Sequence, residues 1–246
     1  WVKILDRKKI GAGVMEISYM KHNITGTNEK SSDEKTKVFM EINHHILEDE
    51  SPSNYLNDVS QRVIFQQNPF MMLRKLKETP QSPIHHPEGN VWNHTMMVVD
   101  EAAKVRMKSK DAKSFMWAAL LHDIGKPDTT KIRKGKITAY DHDIVGAELA
   151  DEFLRCFIEN EEFIQKVVRL IRWHMQILYV LKDMPFTRMI EMRGQVDSHE
   201  IAMLGLCDRL GRMNADPRKE EENIRLFLDK IKNKKGIDKK ERKKRK

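Results

Sequence analysis

The 246-residue sequence predicts an all-α fold, a helical bundle with a helical extension on its N-terminal side. Apolar residues recur at three- and four-residue spacing along most of the chain, which is typical of amphipathic helices. Prolines and glycines interrupt this pattern at intervals that suit helices of ordinary length. Only the segment 133–142 (RKGKITAYDH) has a β-like pattern, with a turn at Gly135.

The first part of the chain is predicted to contain a polar linker followed by helices. Residues 23–37 (NITGTNEKSSDEKTK) are polar and lack periodicity, so we expect 1–37 to be an N-terminal segment that ends in a linker. Helical spacing starts at Val38 and predicts a helical extension over 38–82. The loop 79–90 (TPQSPIHHPEGN) follows, because its three prolines interrupt helical structure.

The remainder reads as consecutive helices and a basic end. The predicted domain covers 83–228, and its helices lie near 91–108, 111–124, 142–159, 161–180, 185–194, 197–213 and 219–232. The net charge of +8 is confined to 229–246, which holds eleven Lys and Arg against three acidic residues. Like-charge blocks usually stay solvated, so we expect a disordered tail; the alternative is a weak contact with nucleic acid.

Composition narrows the class of protein. The chain is 39% hydrophobic and 33% charged, as in globular proteins. No window of about 18 uncharged apolar residues is present, so the sequence predicts no membrane span. The two cysteines lie among apolar neighbours, and the first residues lack an apolar segment of signal-peptide length. We therefore expect a cytoplasmic protein without disulfides.

Six polar groups lie on apolar helix faces or directly beside one. They are His94, His122, Asp123, His142, His174 and Asp208. A buried carboxylate without a partner is costly or becomes protonated. A single core histidine usually makes a structural hydrogen bond, but six such groups on five segments can compensate one another only by converging. Imidazoles and carboxylates that converge in a dry core form a cation site.

The segment LLHDIGKP places His122 and Asp123 side by side at the end of an apolar run. On an ideal helix these residues point about 100° apart, too far to bind one ion in mid-helix. We expect Gly125 and Pro127 to end the helix, so that both side chains can bend towards the same ion. Lys126 would then lie at the rim, either as a cation favoured by the helix dipole or as a group that holds an anionic substrate.

The series His94, His122-Asp123 and Asp208 resembles the HD-domain family of metal-dependent phosphohydrolases, in which HDIGK is a typical segment. The resemblance covers 83–216 and is closest to the HD domain of bacterial CCA-adding tRNA nucleotidyltransferases. It is carried by HHPEGNVWNHTMMVVDEA, ALLHDIGKP, YDHDIVGAELA, LIRWHM and LCDRLGR. The sequence has no Gly-Ser turn with a DxD pair ahead of this region, which argues against CCA addition. It also has no GYP segment, which argues against cyclic-di-GMP hydrolysis.

The resemblance implies a helical bundle that binds one or two divalent cations. The ligands of the first ion would be His94, His122, Asp123 and Asp208. His142 and His174 match positions that bind a second ion or contact phosphate in some relatives. His85 and His86 lie outside this set and could form the lip of the pocket. A mixed imidazole and carboxylate set suits Mn, Fe, Co, Ni or Zn, and suits Mg less well.

The expected activity is hydrolysis of a nucleotide or similar phosphoester, as a phosphodiesterase or phosphomonoesterase, by metal-activated water. Asp123 would bind metal and orient the water. Lys126, together with Arg172 or Arg209, would neutralise charge on the phosphate oxygens.

Two other functions are compatible with the same residues. One is a pocket that binds or senses a nucleotide or RNA without catalysis, and the other is a structural metal protein. The complete ligand set favours the enzyme, because a protein that only binds a nucleotide has no need of all four groups.

Overall fold

The computed structural model describes the backbone of residues 33–244 and the side chains of 33–233. Residues 1–32 of the predicted segment 1–37 therefore lie outside the described residues. The described chain is mostly helical, which confirms the predicted fold class. Two compact units meet in sequence between Glu41 and Ile42, and the candidate site lies entirely in the larger one.

The helices are numbered in chain order, and three short 3-10 helices join some of them. They are α1 33–48, α2 Pro52–Val59, α3 Met71–Arg74, α4 Val91–Val105, α5 Ala112–Leu121, α6 Lys126–Thr129, α7 His142–Arg155, α8 Glu161–Trp173, α9 Gln176–Leu181, α10 Met189–Gln195, α11 Ser198–Leu210 and α12 Pro217–Lys244. The 3-10 helices are Val63–Gln66, Lys75–Glu78 and Arg106–Lys108.

The predicted β-like segment 133–142 contains the turn and second strand of an antiparallel hairpin, and the first strand begins three residues before that segment. The strands are β1 Thr130–Arg133 and β2 Lys136–Ala139, and Thr130 pairs with Ala139 in the register. Gly135 has a φ of 73° in the turn between them, a conformation that glycine adopts without steric cost. The hairpin lies between α6 and α7 and so sits beside the residues that follow α5.

Several helix boundaries differ from the prediction, three of them by the largest changes in how the chain is divided. Helix α1 already includes residue 33, inside the predicted linker. The predicted helix 161–180 is divided into α8 and α9 around His174. Helix α12 continues to Lys244 and so covers most of the segment for which we expected a disordered tail. Lys and Arg dominate that segment and have high helix propensity, which the charge pattern alone does not reveal.

Helix α5 is the centre of the bundle. Every residue from Ser114 to Leu121 is buried, and α5 contacts α4, α8 and α11. A helix that is apolar on all sides is stable only when other elements surround it. The polar residues that follow α5 therefore lie inside the bundle.

Side-chain caps fix the starts of the helices that carry the site. Asn90 accepts a hydrogen bond from the backbone N–H of Asn93 at 2.9 Å and caps α4. Asp111 caps α5 in the same way through the N–H of Ser114, at 3.0 Å. Each such cap satisfies a backbone donor that the first helical turn leaves unpaired, and contributes on the order of 1 kcal/mol.

Helix α2 packs against α4. The indole N–H of Trp92 donates to Oδ1 of Asn57 at 2.8 Å. The backbone N–H and hydroxyl of Ser53 both donate to the carboxylate of Asp100, at 3.0 and 2.6 Å. Through these contacts α2 supports the helix that carries His94. Among the described helices, none has the length and hydropathy that crossing a lipid bilayer requires.

The prediction that Gly125 and Pro127 end the helix is wrong. Gly125 instead allows the turn after α5 to pack closely against α7. Helix α5 ends at Leu121, before both residues, and Pro127 lies in the first turn of α6. Gly125 has an ordinary helical φ of −81°. A Cβ atom there would lie 2.3 Å from the carbonyl oxygen of His142 and 2.5 Å from the backbone N of Gly146. Gly125 therefore allows this turn to contact the first turn of α7.

Gly125→Ala is expected to lower the free energy of unfolding by about 1–3 kcal/mol, because a methyl group at this position forces backbone apart. Urea unfolding followed by circular dichroism measures the change. Gly194→Ala in α10 is the matched control, since a methyl group there would meet no packed neighbour within 4 Å. Equal stability of the wild type and Gly125→Ala would contradict this account of the glycine.

Candidate metal centre

His122 and Asp123 follow α5 directly, and both are almost completely buried, with 1% and 2% exposure. Nδ1–H of His122 donates to the carbonyl oxygen of Ala119 at 2.8 Å, so in the neutral ring Nε2 carries the lone pair. This Nε2 lies 3.1 Å from Oδ2 of Asp123. Neither atom has a hydrogen-bond partner among the described residues. Two buried acceptors that face each other are unfavourable without a cation between them, so the pair fits a bound metal ion.

His94 and Asp208 bring α4 and α11 to the same point. His94 is fully buried, and its Nε2 lies 3.0 Å from Oδ1 of Asp208 and 3.9 Å from Oδ2 of Asp123. Burial lowers the pKa of His94, but hydrogen bonds to Asp208 and Glu88 outweigh it and raise the pKa above its ordinary value. In the metal-free protein the imidazole therefore shares a proton with Asp208. A metal ion must displace this proton to bind Nε2.

His142 begins α7, and His174 lies at the C-terminal end of α8. Their Nδ1–H groups donate to the carbonyls of Ala139 and Ile171, at 2.7 and 2.6 Å. Burial lowers the pKa of both imidazoles to about 4, so both rings are neutral at physiological pH. Their Nε2 atoms lie 3.2 Å apart and each carries a lone pair, so they cannot hydrogen-bond to each other. This second pair of facing acceptors also fits a cation.

Asp123 joins the two halves of the cluster. Its Oδ2 faces His122 and His94, and its Oδ1 lies 3.4 Å from Nε2 of His142 and 4.0 Å from Nε2 of His174. Asp123 therefore belongs to two groups of three residues whose ligand atoms lie within 4.8 Å of one another. All six polar groups that the sequence placed on or beside apolar faces, Asp208 included, thus meet in the folded chain.

A cavity of about 280 Å³ opens onto the cluster. The cluster residues that line it are Asp123, His142, His174 and Asp208. The hairpin contributes Thr130 and residues 137–139, and apolar surface comes from Met175, Ile177 and Leu178. Cationic side chains in the lining are Lys126, Lys182, Arg209 and Arg212. The cavity therefore combines candidate metal ligands, positive charge and an apolar wall.

Lys126 lies at the rim of the cluster, beside Asp123. Its Nζ is 2.7 Å from Oδ2 of Asp123, as an ion pair without hydrogen-bond geometry, and donates to Oε1 of Gln81 at 2.6 Å. Burial raises the pKa of Asp123, but the neighbouring His122 and Lys126 outweigh it and hold this pKa well below its usual value. The carboxylate therefore stays ionised throughout the physiological range.

The two predicted arginines differ in their contacts. Nη1 of Arg172 donates to Oδ2 of Asp143 at 2.7 Å, and its guanidinium lies 4.7 Å from the ring centroid of Trp173. Arg172 is not among the described residues that line the cavity, so its contacts favour a structural role. Arg209 does line the cavity, although its Nη1 also donates to Glu220 at 2.8 Å.

Arg212 and Glu88 were not predicted from the sequence as site residues. Arg212 lines the cavity, and its Nη2 lies 3.6 Å from Oδ1 of Asp208. Its Nε is buried and has no hydrogen-bond partner in the described part of the chain. Arg212 follows Asp208 by four residues but lies beyond the end of α11 at Leu210, so only the tertiary structure places it at the cavity. Glu88 contacts His94 from a loop, where no periodicity could reveal it.

A model of the HD domain family matches residues 91–213, half of the chain. This interval contains all six residues of the cluster. The family match supports the resemblance that the sequence motifs predict.

Parts of the chain are similar to bacterial multifunctional CCA proteins. The protein of Halorhodospira halophila is 35% identical over 109 residues, which cover 44% of this chain and 25% of that protein. The protein of Actinobacillus pleuropneumoniae is 33% identical over 83 residues, 34% of this chain and 20% of that protein. The protein of Aromatoleum aromaticum is 46% identical over 55 residues, 22% of this chain and 12% of that protein. The matched part of this chain thus spans a quarter or less of these relatives.

Addition of Mn²⁺, Co²⁺ or Zn²⁺ to metal-depleted protein is expected to raise its melting temperature, because an ion that binds only the native state stabilises it by mass action. At a free ion concentration of 100 Kd the gain is about 2.7 kcal/mol. Differential scanning calorimetry with and without chelator measures it. Asp123→Ala should abolish the response, whereas Asp100→Asn, on α4 but bound to Ser53, should retain it. A wild type that does not respond to any of these ions would contradict the interpretation of the cluster as a metal site.

The metal-free protein is expected to lose stability as the pH falls from about 6.5 to about 4. Burial lowers the pKa of His86, His142 and His174 to about 4, whereas unfolded imidazoles titrate near 6.5. In this window the unfolded state binds more protons, so it is favoured as the pH falls. The raised pKa of His94 changes stability in the opposite direction, but it concerns a single group.

Urea unfolding at a series of pH values, in the presence of a chelator, measures this dependence. His174→Gln should make it shallower, because one titrating imidazole is removed. A free energy of unfolding that stays constant from pH 6.5 to 4 would show that these histidines are not buried in neutral form.

Proposed function

We propose that this chain, which belongs to the HD domain family, is a divalent-metal-dependent phosphohydrolase. Its substrate would be a nucleotide or similar phosphoester. The observation that carries the proposal is the pair of acceptors formed by Nε2 of His122 and Oδ2 of Asp123, which face each other without hydrogen-bond partners among the described residues. A folded protein tolerates such a pair when a cation satisfies both atoms.

The cluster offers ligands for one ion or for two. The residues that would hold the first ion are His94, His122, Asp123 and Asp208. His142 and His174, with Asp123 as a shared ligand, would hold a second ion or contact a phosphate oxygen. Imidazole and carboxylate ligands suit Mn, Fe, Co, Ni or Zn better than Mg. When bound, such an ion would lower the pKa of its bound water towards about 7 and would attract phosphate oxygens.

The chain's own residues supply orientation and charge. Asp123 is ionised and can accept a hydrogen bond from the attacking water. Lys126 lies within 2.7 Å of Asp123, so its ammonium can reach a phosphate oxygen held beside that carboxylate. Arg212 provides a second cation, and its Nε has no hydrogen-bond partner within the described region. Cations at these positions would stabilise the negative charge on the phosphoryl oxygens during in-line attack.

The cavity favours a small phosphoester with an organic part. Its volume of about 280 Å³ lies near the lower end of ligand pockets. The lining contains four cationic side chains that could contact an anionic substrate, together with apolar groups from Ile177 and Leu178. A nucleotide satisfies both requirements, because its phosphate is anionic and its base has flat apolar faces.

Protein loaded with Mn²⁺, Ni²⁺ or Co²⁺ is expected to hydrolyse aryl phosphate mono- or diesters and members of a nucleotide panel. Asp123→Asn should remove measurable turnover, because it disrupts both groups of ligands. Lys126→Ala should lower kcat/KM by about 100-fold, the usual effect of removing one group that stabilises developing charge. Lys104→Ala, which removes an exposed lysine paired with Glu101, should have no effect.

Steady-state phosphate release measures these rates. Protein that binds metal and nucleotide but releases no phosphate would favour the alternative of a binding or sensing module. Protein that is inert and binds none of these ions would contradict the proposal.

A further inference from the structure

Glu88 is a buried carboxylate that lies behind the metal ligands. Its side chain is 1% exposed, and Glu88 is absent from the described residues that line the cavity. Its Oε1 lies 2.8 Å from Nδ1 of His86 and 3.1 Å from Nδ1 of His94. A buried carboxylate needs hydrogen-bond donors, and these two imidazoles supply them.

For His94, the contacts of Nδ1 determine which nitrogen can bind a metal. Nδ1 lies between two acceptors, Oε1 of Glu88 at 3.1 Å and the carbonyl oxygen of Gly211 at 3.2 Å. An imidazole nitrogen that faces two acceptors carries a proton. Nε2 is then the nitrogen left for the cation, and it points towards Asp208 and Asp123. The carboxylate of Glu88 also adds negative charge, which makes His94 a more basic ligand.

For His86, the same carboxylate determines which ring nitrogen is left to face the cavity. Among the residues with described side chains, Glu88 is the hydrogen-bond partner of His86, through Nδ1 at 2.8 Å. His86 lines the cavity and packs edge-on against the ring of His94, with 4.7 Å between centroids. When Nδ1–H of the neutral ring is donated to Glu88, the remaining ring nitrogen, Nε2, is a hydrogen-bond acceptor.

We propose that Glu88 is a positioning residue that holds His86 and His94 in the Nδ1–H form, so that Nε2 of His94 faces the metal and Nε2 of His86 faces the substrate. The assignment of metal and substrate rests on the proposed function. An acceptor that cannot donate selects a substrate hydroxyl. Because His86 contacts a metal ligand, that hydroxyl lies close to the phosphate, as the hydroxyls of a ribonucleotide do. The cavity is thus inferred to prefer ribonucleotides over deoxyribonucleotides.

The role of Glu88 is tested first without metal. Nitrogen NMR of the imidazoles should show His86 of the wild type as a single Nδ1–H tautomer, and Glu88→Gln should give a mixture of tautomers. Glu88→Gln should also weaken Mn²⁺ or Co²⁺ binding by about 10–100-fold in calorimetric titrations, the usual effect of losing such a supporting group. Asp100→Asn, another hydrogen-bonded carboxylate next to α4, is the control and should change neither readout. Unchanged spectra and unchanged metal affinity in Glu88→Gln would overturn the proposal.

The role of His86 is tested by comparing ribo- and deoxyribonucleotides. His86→Asn should retain metal affinity and raise KM for the ribonucleotide by about 5–20-fold, the contribution of one hydrogen bond, with little change for the deoxyribonucleotide. Equal KM values for the two sugars in the wild type would overturn this part of the proposal. A wild type that binds metal but hydrolyses nothing would instead overturn the proposed function, and the imidazole spectra and metal titrations would still decide the role of Glu88.

Discussion

The structure depends on one constraint: the carboxylate of Asp123 must be satisfied inside a helical bundle. Asp123 follows a helix that is buried on every side, so the chain cannot turn it towards bulk solvent. An ionised carboxylate in such a place requires positive charge and hydrogen-bond donors. Lys126 supplies one charge, and four imidazoles from separate segments surround the two oxygens. The helices that carry these imidazoles are held together by the same requirement.

Three of the imidazoles are oriented by a shared device. His122, His142 and His174 each donate Nδ1–H to the carbonyl oxygen of the residue three positions earlier in the chain. For His122 and His174 this carbonyl belongs to the last turn of a helix, where backbone acceptors lack partners within the helix. A histidine just beyond a helix end thus satisfies a backbone acceptor and fixes its own tautomer. The Nε2 lone pair then has only one direction to face, which is the interior of the cluster.

A metal ion bound in this arrangement would couple binding to folding. Without an ion, facing lone pairs disfavour the native state, and His94 shares a proton with Asp208. An ion would make these same contacts favourable, so part of its binding free energy would contribute to folding. The close approach at Gly125 serves the same purpose, because it lets the turn after α5 contact the start of α7 and bring His142 to Asp123. The cations at the cavity rim remain available for an anionic ligand.

The sequence by itself determined the helical class, the hairpin around Gly135 and the six residues of the cluster. Each of these signals is local, since helical periodicity shows which side chains share an apolar face and a buried charge must find compensation. Only the tertiary structure decided the partners. Arg172 contacts Asp143 rather than the cavity, Arg212 lines the cavity, and Glu88 reaches His94 from a loop. These outcomes depend on distances between segments that are far apart in sequence, and no periodic pattern encodes such distances.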